Sequence, residues 1–396
     1  MSNQSERITE EEIIFVTNLR NTTELTWQEI TEKFNKKFTN QRGFDGIKKI
    51  FYAYSEITEQ PNFHINTIKE NIRRKRASSK VAKESRSILD YMENREDILD
   101  AIKSVIKTVA SHKFKVPKFK PQKSKNNMTL EIMFSDVHYG KKTSKVDVLE
   151  IRRRVQKMTR VVIDEINRES KSFNVHRIIL SMIGDVIENA DMHGKESVKG
   201  SEFGTSRQVF EAIQSIYLDV IVPLANTGLQ IDVPAVTGNH DRFDVHKTYN
   251  NPGEENLTFV VYKTLELMAQ RDGFKNVKFD IVNGVYAHTE IYGNTLVIEH
   301  GDEAKNLNRD TLNNMLSKRQ TQIGKIVSFY RMGHWHEVTC YGQDKIIVNG
   351  SVPGQDSYAE IKGFSSEAIQ VLNYYVETKN RPTCFFRSFP IYLDKI

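Results

Sequence analysis

Residues 129–140 read TLEIMFSDVHYG, an apolar run that stops abruptly at Ser135, Asp136, His138 and Gly140. The run TLEIMF has the length and apolar content of a buried strand, which puts Asp136 and His138 in the loop at its carboxyl end. Two later stretches repeat the pattern: RIILSMIGDVIEN (177–189) leads into Gly184-Asp185, and LQIDVPAVTGNH (229–240) leads into Gly238-Asn239-His240-Asp241. Helical signals separate them. Val148, Ile151, Val155, Met158 and Val162 recur at helical spacing after the first strand, and SRQVFEAIQSIYLDVIVPLA (206–225) reads as a second helix. Strand–helix alternation predicts an α/β fold with its sites at the carboxyl ends of strands. After residue 276 shorter strands dominate, in GNTLVIEHGDE (293–303), KIVSFYRMGHWHE (325–337) and DKIIVNGSV (344–352). They predict a β-rich second half that packs on the first as a second sheet.

Five polar clusters thus stand behind five apolar strands: Asp136-x-His138, Gly184-Asp185, Gly238-Asn239-His240-Asp241, His300-Gly301-Asp302 and Gly333-His334-Trp335-His336. Carboxylate, imidazole and amide oxygen are the donors that hard and borderline divalent metals take. Glycine beside them lets the backbone turn sharply and approach an ion closely. A lone His-x-His is more often a surface or core feature. Here five of the eleven histidines fall in these clusters, each behind a strand, and that ordering favours metal ligation.

The five-block order resembles the calcineurin-like metallophosphoesterase superfamily over residues 130 to about 355. The resemblance implies a two-sheet α/β/β/α sandwich holding two divalent ions. Manganese is the expected ion, with magnesium, iron(II) and zinc as alternatives. It implies that Asp136, His138, Asp185 and His336 hold one ion and that Asp185, Asn239, His300 and His334 hold the other. Asp185 would bridge ions about 3.5–4 Å apart and a water between them would become the nucleophile. His240, beside a ligand without being one, is the implied general acid. Asp241 would orient that imidazole or cap the following helix, the orienting role being preferred. Phosphomonoesterases and protein phosphatases of the superfamily follow the bridging aspartate with Asp-Arg-Gly. This chain has Val186-Ile187-Glu188-Asn189 instead, with no arginine there to clamp a dianionic phosphate. Asp136-Val137-His138-Tyr139-Gly140 is close to the Asp-x-His-Leu-Gly of the double-strand-break repair nucleases. Those often carry histidine or aspartate where Glu188 stands, so His193 is considered as a replacement, against the plainer reading of an exposed loop residue.

The front of the chain has a different texture. Residues 1–128 hold 25 Lys/Arg against 17 Asp/Glu, whereas the rest holds 32 against 34, within a net charge of +6. Such a split suits a polyanion at the front end, or simply a solvated charged face. Three short helices are expected over 8–54. The first is ITEEEIIFVTNLR (8–20). The second starts at Thr26 with a Thr26/Glu29 capping box and an apolar face of Trp27, Ile30, Phe34 and Phe38. The third carries Phe44, Ile47 and Phe51, with Lys48 and Lys49 on another face. Together they resemble a Myb-like helix-turn-helix; the alternative is a helical protein-contact module. A basic helical stretch follows with Arg73, Arg74, Lys75 and Arg76, then a Lys/Pro-rich linker. The expected domains are therefore 1–58, 59–127 and 128–396, the last being the metallophosphoesterase domain. No stretch reads as a secretory leader or a membrane span. Isolated Cys340 and Cys384 need no oxidising compartment, so a cytoplasmic protein is expected.

These readings converge on a two-metal phosphodiesterase acting on nucleic acid, expected to be a repair- or recombination-type DNA nuclease of a bacterium or phage. DNA is the expected partner, and the resemblance adds homodimerisation and an ATPase partner as options. A protein phosphatase or small-nucleotide phosphodiesterase keeps the chemistry and changes the substrate. A nucleic-acid-binding scaffold with a vestigial metal site is the reading from another class.

Overall fold

The computed structural model describes residues 8–58, 126–190, 199–243, 251–354, 367–378 and 383–394. Arg73, Arg74, Lys75, Arg76, the Lys/Pro-rich linker and His193 lie outside the described residues. Chain contacts divide the protein into two units, Met1–Glu93 and Asn94–Ile396.

The first unit folds as α1 (Glu10–Thr22), α2 (Trp27–Lys37) and α3 (Phe44–Thr58). Capping boxes start the first two: Thr9 with Glu12, and Thr26 with Glu29 as expected. Each box satisfies N–H groups that a helix start otherwise leaves bare. Ile13, Val16, Ile30, Phe34, Ile47 and Ile50 form the core. Buried Glu12 also accepts from Asn40 Nδ2 (3.0 Å) and Arg42 Nη2 (3.4 Å), which ties the turn before α3 back onto α1. The expected face of α3 needs correction. Phe44 is 46% exposed, while Ile50 is buried beside Ile47. The helix has rotated so that two β-branched side chains, rather than the first aromatic, fill the space over α1.

In the second unit a six-stranded sheet runs β11-β10-β1-β2-β3-β4 and a five-stranded sheet runs β5-β6-β7-β9-β8. The first comprises β1 (Asn127–Phe134), β2 (Asn174–Ile183), β3 (Gln230–Val236), β4 (Val277–Ile281), β10 (Ile369–Val376) and β11 (Phe385–Tyr392). The second comprises β5 (Tyr286–Ile291), β6 (Asn294–Glu299), β7 (Val327–Met332), β8 (Thr339–Tyr341) and β9 (Ile346–Val348). β1 to β4 are mutually parallel, as are β6, β7 and β9. The three strand stretches read after residue 276 form β6, β7 and β9 of the second sheet, while β4 extends the first sheet and β10 returns antiparallel beside β1. β1 needs a partner on that side, and the fully buried β10 covers its open edge.

Alternation along the strands builds the layers. Met133, Ile179, Ile183, Leu296, Ile298, Phe329 and Ile347 meet between the sheets. The intervening Val297, Tyr330 and Met332 face outward and pack with Leu312 and Leu316 of α7 (Arg309–Ile323). On the first sheet lie α4 (Val148–Glu169), a helical run α5 (Thr205–Ala225) and α6 (Leu257–Arg271). Ile151, Val155, Met158, Val162 and Ile166 form the buried face of α4. The α5 run contains a π-helical turn at Ile216–Ile221. By length and composition alone α5 could cross a membrane. Its residues are nearly all buried here, as the core helix of a folded unit would have them.

One polar network crosses the apolar layer. Arg331 and Glu131, both fully buried, stand 3.2 Å apart. Glu131 also accepts from Ser181 Oγ, Asn373 Nδ2 and Tyr375 OH, while Arg331 donates to Tyr375 OH and three backbone carbonyls. Each partner of the pair is thus hydrogen-bonded on several sides, which is the condition for burying two charges without a large desolvation loss.

Candidate metal centre

All five clusters leave the carboxyl ends of parallel strands. Asp136 and His138 follow β1, Asp185 follows β2, Asn239 and His240 follow β3, His300 follows β6, and His334 and His336 follow β7. Because both sheets point these ends the same way, the loops converge at one rim of the sandwich. The backbone there is unusual. Asp136, His138, Asp185, His334 and His336 sit at φ 52°, 49°, 49°, 70° and 57°. A left-handed non-glycine residue costs on the order of 1–3 kcal/mol and persists only where surrounding bonds hold it. Those bonds are present: Asp136 N–H donates to Gly184 O (3.1 Å), Val137 N–H to Asp185 O (2.9 Å) and Tyr139 N–H to Val186 O (2.8 Å). Two glycines are required by contact. A Cβ on Gly238 would lie 2.1 Å from Asp185 Oδ1, and one on Gly333 would lie 2.5 Å from Asp136 Oδ2.

Two donor sets result. In the first, His138 Nε2 is 3.1 Å from His336 Nε2, which is 3.3 Å from Asp136 Oδ1. In the second, His300 Nε2 is 3.1 Å from Asp185 Oδ2 and 3.0 Å from Asn239 Oδ1, and a His334 nitrogen lies within 4.8 Å of the Asp185 and His300 donors. Asp185 Oδ2 also stands 4.0 Å from His138 Nε2, so one carboxylate reaches both sets. Donors held by a single ion at about 2.0–2.2 Å are separated by roughly 3–3.5 Å. The observed spacings and the oxygen–imidazole chemistry therefore fit divalent cations. The His300 ring is oriented for ligation: its Nδ1 faces Ile183 O at 2.8 Å, so in the neutral ring Nε2 is the nitrogen that carries the lone pair.

The charges are strongly perturbed. Burial drives the His138 imidazole down to about 4, against the pull of Glu188. Burial and the His300 charge likewise take His334 to about 4. Burial opposes the charge on His300 as well, yet Asp185 and Asp136 outweigh it and push this ring up to about 10. Asp185 is held well below the usual carboxylate range despite its burial, by His300, His240 and His138.

The residues behind the donors were harder to read from sequence. His240 Nδ1 lies 2.9 Å from the backbone oxygen of Glu188, and its N–H donates to Asp185 Oδ1 at 2.8 Å. The orienting role expected of Asp241 is corrected. Its carboxylate accepts the N–H groups of Asp185 (2.9 Å), Val186 (3.0 Å) and Gly238 (2.7 Å), stapling two of the loops together from beneath. A carbonyl, not Asp241, holds the His240 ring. Asn189 Nδ2 donates to the carbonyls of His240 and Arg242, each at 2.8 Å. Arg242 pairs with Asp302 at 2.8 Å. This arginine follows β3 by a few residues rather than standing on the Asp185 loop where Asp-Arg-Gly would place one. Glu188 Oε2 lies 2.9 Å from His138 Nδ1 and 3.6 Å from Lys141 Nζ. The only sequence signal for it was its departure from the family pattern.

Lys48 and Lys49 belong to α3 of the first unit. Lys48 Nζ sits 6.0 Å and 5.8 Å from the ring centroids of Phe44 and Tyr52, and Lys49 is exposed.

No family model matches the chain, and no curated protein matches it. Among solved structures it is similar to an archaeal phosphodiesterase, with 12% identity, 66% of this chain and 99% of that chain covered, and a TM-score of 0.31. A predicted phosphoesterase from Streptococcus pneumoniae shares 12% identity over 67% of this chain and 98% of its own, with a TM-score of 0.27. Vacuolar Protein Sorting 29 from Cryptosporidium parvum shares 10% identity over 67% and 98%, with a TM-score of 0.29.

Proposed function

We propose that the second unit is a two-metal phosphodiesterase. The observation that carries this reading is the Asp185 carboxylate standing between two donor sets, with His240 held alongside. Asp136, His138 and His336 would hold one ion, Asn239, His300 and His334 the other, and Asp185 both. When bound, the ions supply Lewis-acid stabilisation of phosphoryl oxygens and lower the pKa of an attacking water. His240 supplies the proton. A carbonyl can only accept, so Nδ1 keeps its hydrogen and Nε2 is the atom that gains or gives a proton. In the imidazolium form Nε2 donates to the leaving oxygen, and in the neutral form it can take a proton back.

Nucleic acid is the substrate we favour, because the basic excess of residues 1–128 suits a phosphate backbone. In this reading the protein is a DNA nuclease, manganese is its preferred ion, and Lys48, Lys49 and the Arg73–Arg76 cluster serve the backbone. A small-nucleotide phosphodiesterase is the second reading, which keeps the same donor sets and changes only the substrate. Full-length protein, stripped with chelator and reloaded with one metal at a time, should be assayed on linear DNA, a cyclic or linear dinucleotide and a chromogenic monoester. Manganese-dependent nucleotide release from DNA supports the first reading, and turnover confined to the dinucleotide supports the second. Undiminished hydrolysis in metal-free protein removes both.

A further inference from the structure

We propose that Glu188 is a positioning residue whose carboxylate backs His138 and selectively strengthens one of the two ion positions. The proposal rests on the two-ion reading above and assigns within it a residue outside the two donor sets named there. Two groups of Glu188 act in two directions. Its carboxylate faces His138 Nδ1 at 2.9 Å, and neither of the two atoms has a hydrogen-bond partner elsewhere among the described residues. Its backbone oxygen faces His240 Nδ1 at 2.9 Å. The two rings meet edge to face with centroids 4.8 Å apart.

The residue itself is anchored. Glu188 N–H donates to Tyr139 O at 3.1 Å, and Tyr139 pairs with Ile187 as a short continuation of the β1–β2 ladder. Tyr139 OH in turn donates to Ser215 Oγ at 2.7 Å, next to the π-helical turn of α5, where Asp219 takes Ser215 and Arg152. The carboxylate therefore approaches His138 from a backed position.

The backing differs between the two donor sets. A carboxylate behind an imidazole raises the basicity of its far nitrogen as well as fixing the ring, whereas a carbonyl does only the second. His138 has Glu188 behind it, and His300 has the neutral Ile183 carbonyl. Asp302, the other nearby carboxylate, is taken by Arg242 at 2.8 Å, while Lys141 stands farther from Glu188, at 3.6 Å, than His138 does. Glu188 thus strengthens one ion position selectively, and Lys141 tempers it.

The test is manganese titration of the metal-free full-length chain by calorimetry, beside the same titration of Glu188→Gln and Lys141→Gln. The amide of Glu188→Gln keeps the size of the side chain and an acceptor but removes its charge, and its metal-free melting temperature controls for folding. Losing such a partner lowers metal affinity about 10- to 100-fold. That loss is expected at one of the two ions in Glu188→Gln, with the other unchanged. Lys141→Gln, which removes the competing charge beside the carboxylate, should bind the same ion as tightly as the wild type or more tightly. A purely structural role moves both variants the same way. Equal weakening of both ions, no weakening, or weakening in Lys141→Gln overturns the proposal. A wild-type chain that takes up no manganese overturns the two-ion reading and this proposal with it.

Discussion

The carboxylate of Asp241 lies under the backbone of Asp185, whose N–H donates to Asp241 Oδ2 at 2.9 Å. The candidate bridging ligand is therefore held in its left-handed conformation by a side chain from the adjacent loop. Replacing Asp241 with Ala leaves the buried N–H groups of Asp185, Val186 and Gly238 without that acceptor. Each orphaned donor costs about 1–3 kcal/mol. Asp241→Ala should unfold at markedly lower denaturant and bind metal more weakly, although it removes no ligand. A denaturation midpoint equal to the wild type would contradict the staple.

His240→Ala should retain both ions and lose most turnover, on the order of 10²- to 10⁴-fold. Metal content by elemental analysis and rate on the best substrate should be measured on the same preparation. Metal lost in step with activity would make His240 a ligand instead. Asp185→Asn should lose both together.

Metal uptake should release a proton from His300. Asp185 and Asp136 push this ring up to about 10 in the metal-free protein, and ligation needs its Nε2 bare. The raised value means the pair stabilises the metal-free fold fully below the ordinary histidine pKa of 6.5 and loses that contribution as pH rises through about 10. Metal binding should accordingly tighten from about pH 6 towards about pH 9 while metal-free stability declines. Calorimetry in two buffers of different ionisation enthalpy counts the proton; identical heats in both would exclude its release.

Arg331→Met strands the Glu131 charge between the sheets. Breaking a buried pair from one side typically costs about 3–5 kcal/mol. A Glu131→Gln/Arg331→Met double variant should recover part of that loss, because no unpaired charge remains. Additive losses in the double variant would mean the two side chains do not act as a pair.

Lys48→Ala/Lys49→Ala in the full chain tests the nucleic-acid reading of the first unit. Each phosphate contact removed should lower the slope of log affinity against log salt by about 0.9 on duplex DNA. Unchanged slope and affinity would favour a protein-docking role for the three helices.

Strands were legible in the sequence because burial and extension act locally: TLEIMF, RIILSMI and IDVPAV carry their own pattern, and each stops where polar residues begin. For the same reason the polar clusters behind those strands could be placed from residue order, the choice of Asp136, His138, Asp185, Asn239, His300, His334 and His336 within them coming from the family resemblance; the Thr26/Glu29 cap and the apolar spacing of α4 were legible locally as well. Tertiary structure decided what depends on residues far apart. Sheet membership is one case: β10 pairs with β1 across more than two hundred residues, and nothing in IQVLNYYV favours one sheet over the other. Helix rotation is another, since Phe44 and Ile50 are both apolar and only packing against α1 and α2 chose Ile50. The roles of Asp241 and Glu188 are a third. A carboxylate in a loop can serve an ion, an imidazole or a backbone N–H, and the choice depends on which atoms a separate strand brings within about 3 Å.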